Sequence, residues 1–383
     1  MLRSPFIISA LALILLCSCS HKHLINDRVF RESVKSDFRE REKQFGKHTP
    51  GIFGQADVEK DPARQEAIMF LAAYMPLSDF ADNCSSLICS DADEALKTRT
   101  ETPWGKDIPE EIFLHFVLPP RVNNENLDSF RLVYHSELAN LVKDKSLADA
   151  ALAVNHWCRE KVTYQPSDIR TSSPLATILS ARGRCGEEST FTVSALRAAG
   201  IPARQVYTPR WAHTDDNHAW VEVWIDGKWH YMGACEPEPV LDRGWFTEPA
   251  RRAMLIHTKA FGRYSGNEPV VKRDKYFSEL NCLPEYAVTK DLKVTVSDSK
   301  DQRITNATVD FLLYNYAELY PIASLETDAN GQCHLLTGLG DLVVWAHNGD
   351  MFGFSHVNVA ESDSLNIRLS DTTLTGYLQM DLK

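Results

Sequence analysis

The sequence predicts a mixed α+β protein with a helical N-terminal region and a C-terminal β-sandwich. Three patterns carry that expectation. Apolar residues recur at helical spacing after Asp61-Pro62 and after Ser146; a helical stretch runs into short strand-like runs between residues 185 and 232; five short alternating runs follow residue 289. The 383 residues, 44% hydrophobic and 24% charged, allow two or three domains and exclude a disordered or collagenous chain. A net charge of −11 argues against a nucleic-acid reader working through a basic surface.

The chain opens on a targeting pattern. Arg3 precedes the apolar run PFIISALALILL, residues 5–16, which is too short for a membrane span of roughly twenty residues. Leu16-Cys17-Ser18-Cys19 then resembles a bacterial lipoprotein signal. The expectation is removal of residues 1–18 and lipidation of Cys19. That would make an exported bacterial lipoprotein, anchored on the periplasmic or cell-surface side of a membrane without a spanning helix. Residues 19–50 read as a polar tether with a short helix. Residues 51–145 read as a helical region, with Asp61 as N-cap, Pro62 at the first helical position and Pro76 as the stop. Residues 100–125 read as loops around one short apolar piece.

Residues 146–285 form the next expected domain. Ser146 starts a helix with Leu147, Ala151, Val154 and Cys158 on one stripe. Gly183-Arg184-Cys185-Gly186 is a turn, followed by a helix that Gly200 and Pro202 end. The runs ARQVYTP, HAWVEVWI and KWHYMG read as strands, the last two joined by an Asp226-Gly227 hairpin turn. Residues 286–383 read as a small sandwich of short alternating strands. Seven cysteines remain after Cys17 and Cys19, an odd number that leaves a free thiol in an exported chain; Cys84 and Cys89 are close enough to pair.

Cys185 is the candidate nucleophile. Helix N-terminal amides and the neighbouring Arg184 favour a thiolate. On the strand HAWVEVWI, His218, Trp220, Glu222 and Trp224 share one face, and Ala219, Val221, Val223 and Ile225 share the core face. A thiol at a helix start and an imidazole on a later strand suit nucleophilic catalysis. Asp215, Asp216 and His213 form a weaker metal candidate without metal-ligand spacing. His21 and His23 read as solvated, and Trp104 and Arg121 could line a cleft or pack the N-terminal region.

Gly-Arg-Cys185-Gly-Glu, Leu-Arg-Ala-Ala-Gly-Ile-Pro-Ala-Arg204 and Asn-His218-Ala-Trp-Val-Glu-Val-Trp, followed by Gly-Lys-Trp229, together resemble the transglutaminase-like superfamily, with its papain-like cysteine-nucleophile fold. The stretch from Trp229 to Trp245 looks most like the peptide N-glycanase branch. The resemblance implies Cys185 as nucleophile, His218 as general base, and Arg204, Trp220 and Glu222 as supporting or substrate-site residues. One position departs from the family pattern: Gly233 stands where the third catalytic residue, an Asp, is expected. The next acid, Glu236, can orient His218 only if the strand breaks at Gly233-Ala234. The implied function is an anchored cysteine hydrolase of peptide or glycopeptide amides, with no metal, cofactor or nucleic-acid partner. The alternatives are a glycopeptide amidase, a cross-linking transglutaminase, or a binding module that has lost catalysis.

Overall fold

The computed structural model describes residues 23–48, 50–166, 171–214 and 216–370. Cys19, the targeting segment and Asp215 lie outside the described residues.

The helix Cys185–Ala198 is the centre of the molecule, with every residue from Glu187 to Ala198 buried. The helices Ser85–Glu101, Phe130–Val142 and Leu147–Lys161 pack on one side of it, and the strands Ala203–Thr208 and His218–Ile225 on the other. Local chemistry sets several boundaries. Asp61 Oδ1 accepts from the Ala63 amide and starts the helix Pro62–Tyr74. Ser146 Oγ caps Leu147–Lys161. The central helix ends where Gly200 takes a left-handed φ of 73°. The Trp104 indole donates to the carbonyl of that glycine, so Trp104 packs the N-terminal region and lines no catalytic cleft. Arg121 is likewise buried, on Asp79, and His23 is exposed, as its solvated reading expects, while its ring also pairs with Glu66. The first helix, Arg28–Phe45, is eighteen residues long where a short one was expected.

Six antiparallel strands form the central sheet, in the order Lys228–Met232, His218–Ile225, Ala203–Thr208, His257–Phe261, Phe277–Asn281 and Val270–Arg273. Ile225 pairs with Lys228 across Asp226-Gly227, both with positive φ, as the hairpin reading requires. Val221, Val223 and Ile225 join the main apolar core with the helices. The opposite face is also covered: Trp220 belongs to a second cluster with Trp211, Phe246, Ala250 and Leu283.

C-terminal to this sheet, a four-stranded and a three-stranded sheet enclose a third core. The five alternating runs all form strands, and two more appear at Glu318–Glu326 and Met351–Asn358. Pro321 hides the first of these in sequence. It is tolerated because the strand is at the sheet edge and the register shifts where Pro321 meets Leu312. Cys84 and Cys89 are both free thiols, so the pairing considered from their spacing is not formed.

Candidate active site

Cys185 and His218 line one cavity of about 260 Å³, together with Tyr164, Glu188, Asn217, Ala219, Ala234, Glu236 and Trp245. The local sequence explains how Cys185 gets there. A Cβ on Gly183 would stand 2.8 Å from the Glu187 Cβ, so the turn before the helix needs glycine. The Glu187 carboxylate accepts from the Arg184 amide at 2.9 Å and closes the first turn. Cys185 is then the first helical residue, with a main-chain N–H that no intrahelical carbonyl can take.

Burial pushes the Cys185 thiol up. Hydrogen bonding from the Ala219 amide, the charge of Arg184 and the Gly186 amide oppose this, while Glu188 adds to the rise. Cys185 is therefore not the low-pKa thiolate that its helix position suggested. Burial of the sulfur is the largest of these influences, and activation falls to a base.

That base is positioned by packing. His218 is 6% exposed and pairs with Thr208 in the sheet. Its ring lies 4.6 Å from that of Trp245, 5.0 Å from Phe246 and 5.6 Å from Trp220. The buried Trp220 and Phe246 thus hold the imidazole from behind, while Trp245 packs against it and keeps half of its own surface exposed.

Glu236 arrives by the break anticipated at Gly233. The strand stops at Met232, and a tight turn pairs Gly233 with Glu236, with Cys235 at a φ of 55°. Buried Asn155 clamps this turn, donating to the Gly233 carbonyl at 2.8 Å and accepting from the Cys235 amide at 2.9 Å. Glu236 folds back so far that a Cβ on Gly233 would meet its Oε2 at 2.5 Å and its Cβ at 2.9 Å. The Glu236 carboxylate thus occupies the space from which a residue-233 side chain would grow. Burial pushes the Glu236 carboxyl up, and hydrogen bonding from the Trp245 side chain opposes the rise. Among the described residues no hydrogen bond joins Glu236 to His218. Gly233→Asp should consequently disturb the site and not rescue it. We expect lower turnover and a loss of about 1–3 kcal/mol of stability from the overpacked turn, measured by thermal melting beside Gly233→Ala. A gain in activity would show that the acid belongs at 233.

Arg204, Trp220 and Glu222 do not line the Cys185 cavity. Arg204 donates to Glu222 at 2.6 Å and to Glu268 at 2.9 Å, with its guanidinium 3.9 Å from the Trp229 ring centroid. The Trp220 indole donates to the Tyr286 hydroxyl at 2.9 Å, and that hydroxyl binds Glu222. The second layer over the sheet buries all three. Asp216 pairs with Arg210, and His213 lies in a different cavity, so the proposed acidic and imidazole cluster does not assemble among the described residues.

Sequence reasoning missed several residues. Glu188, three positions after Cys185, faces the same cavity, which helical spacing could have shown. A second groove of about 400 Å³ runs from Cys185 past Asn123, Arg184, Gln205, Tyr207 and Lys259 to Tyr320. Tyr320 comes from the C-terminal strands, whose hairpin also supplies Glu318 to Arg210 and Asn315 to the Trp211 carbonyl. The C-terminal part therefore contributes a wall of the cleft. No local pattern announces that contact.

Known proteins resemble parts of this chain. The family model for the transglutaminase-like superfamily matches residues 136–234. An uncharacterized protein of Mycobacterium leprae is 29% identical over 103 residues, 24% of this chain; the chain spans about a third of that relative's length, 36%. Among solved structures, red sea bream transglutaminase aligns over 70% of this chain and 65% of its own, at 10% identity and a TM-score of 0.34. A protein of Cytophaga hutchinsonii described as a candidate cysteine protease aligns over 39% of this chain and 58% of its own, at 18% identity and a TM-score of 0.25. Residues 136–234 hold the helix bearing Cys185 and the strand bearing His218, and through them this chain carries a domain of the transglutaminase-like superfamily.

Proposed function

We propose that this protein is a cysteine hydrolase of amide bonds in peptides or glycopeptides, anchored at a membrane through lipid on Cys19. The observation that carries the reading is the shared cavity of Cys185 and His218, open beside the first turn of a buried helix. His218 takes the thiol proton as the sulfur attacks the carbonyl carbon. The Cys185 main-chain N–H is placed to stabilise the oxyanion. His218 then gives the proton to the leaving amine, and water releases the acyl group from sulfur by the reverse sequence. Glu236, on the same cavity wall, favours the imidazolium through its charge. An amine could replace water, which would make the same site a transferase.

The test is thiol chemistry resolved peptide by peptide. Cys89, Cys158, Cys235, Cys282 and Cys333 are buried, whereas Cys185 is partly exposed and Cys84 is exposed. Hydrogen bonding from Ser86 lowers the Cys84 thiol, so Cys84 is expected to react as well. With iodoacetamide, Cys185 should label faster than the five buried thiols, and His218→Gln should slow it. If Cys185 labels no faster than Cys158, the nucleophile reading fails.

A further inference from the structure

The two sides of Cys185 differ in chemistry. Because His218 must protonate the leaving nitrogen, the leaving half of the substrate belongs on the His218 side, in the 260 Å³ cavity. The acyl half then belongs in the polar groove that runs from Cys185 to Tyr320. This assignment rests on the hydrolase reading above.

The His218-side cavity holds two carboxyls and two exposed aromatic rings. Glu188 is only 3% exposed, lines the cavity, and has no hydrogen-bond or ion-pair partner among the described residues. Glu236 reaches in from the Gly233 turn. Trp245, 52% exposed, and Tyr164, 56% exposed, stand at the same cavity. The cation whose field reaches both carboxyls is Arg159. Its guanidinium is turned to the Val162 carbonyl at 3.4 Å and the Thr163 hydroxyl at 3.5 Å, and it pairs with neither acid. A buried carboxyl without a partner is costly unless it is neutral or meets a cation. Aromatic faces beside carboxylates are a general means of holding an ammonium or guanidinium group.

We propose that the leaving half of the substrate carries a cationic side chain, an ammonium or guanidinium in addition to the scissile nitrogen, held by Glu188 and Glu236 between Trp245 and Tyr164. Binding draws the proton off Glu188, which burial, and then the charge of Glu236, push up to about 8. Cation binding therefore strengthens as pH rises from 6 towards 9, because the ionised carboxylate becomes the resting state.

The experiment follows iodoacetamide labelling of Cys185 in the full chain, by mass spectrometry, in the presence of Nα-acetyl-lysine N-methylamide. The norleucine analogue supplies the same length without charge. The lysine compound should slow labelling several-fold, more at pH 8.5 than at pH 6.5, and the norleucine compound should leave the rate within about twofold. In Glu188→Gln, compared with its own unprotected rate, the difference between the two compounds should vanish. Equal protection by both compounds, protection by neither, or full discrimination in Glu188→Gln overturns the inference. The wild-type comparison decides even if the variant does not fold. A Cys185 that labels readily but ignores the ammonium defeats this inference alone; a Cys185 no more reactive than the buried thiols defeats the hydrolase reading.

Discussion

Cys185→Ala should fold normally and lose about 10³-fold or more of amide-cleaving activity, as removal of one member of a catalytic unit commonly does. Folding should survive because Cys185 is the first residue of its helix and only partly buried, and alanine is well tolerated in a helix. The Ala219 and Gly186 amides, which favour the thiolate, lose a weak acceptor. His218 calls for a different substitution. Its ring packs among Trp220, Trp245 and Phe246, so alanine would open a hole and mix a stability defect with a catalytic one. His218→Gln keeps more of the volume and should give a comparable loss of turnover. The measurement is turnover of a peptide amide beside a thermal melt. Activity surviving in Cys185→Ala would rule out the covalent route.

Arg204→Met should act in the opposite way, through the fold. The guanidinium bridges Glu222 and Glu268, and is itself 1% exposed. Replacing it leaves a carboxylate at 2% exposure without its cation, facing the Tyr286 hydroxyl alone. Breaking one partner of a buried pair costs about 3–5 kcal/mol. Urea unfolding should show a loss of that order. A residue that bound substrate would instead raise KM and leave the unfolding midpoint in place. An Arg204→Met protein of normal stability and weakened substrate binding would return Arg204 to the substrate site.

The family resemblance joined Arg204, Trp220 and Glu222 to the site through their motifs; the structure keeps Trp220 stacked on His218 as a support and sets Arg204 and Glu222 away from the cavity. Alternation along the strand put Trp220 and Glu222 on the His218 face, which is where they lie. Alternation cannot say whether that face meets solvent or a second layer. Here Phe246, Ala250, Leu283 and Tyr286 arrive from later in the chain to cover it. The thiol reading met a similar limit. Position at a helix start is local and legible, but desolvation depends on everything packed around the sulfur.

Sequence alone determined the elements whose signals are local. These include the Asp61 and Ser146 caps, the Gly183 turn before Cys185, and the Asp226-Gly227 hairpin with its register. Each follows from backbone conformation or side-chain period over a few residues. The strand break at Gly233 was only a condition that glycine allowed. Tertiary structure decided the rest. It turned Glu236 back over Gly233, through an Asn155 clamp nearly eighty residues away in sequence, brought Glu188 and Trp245 to one cavity, and set Tyr320 of the C-terminal strands in the groove at Cys185. Those contacts join distant parts of the chain, and their energy comes from burial and pairing that exist only once the layers have packed.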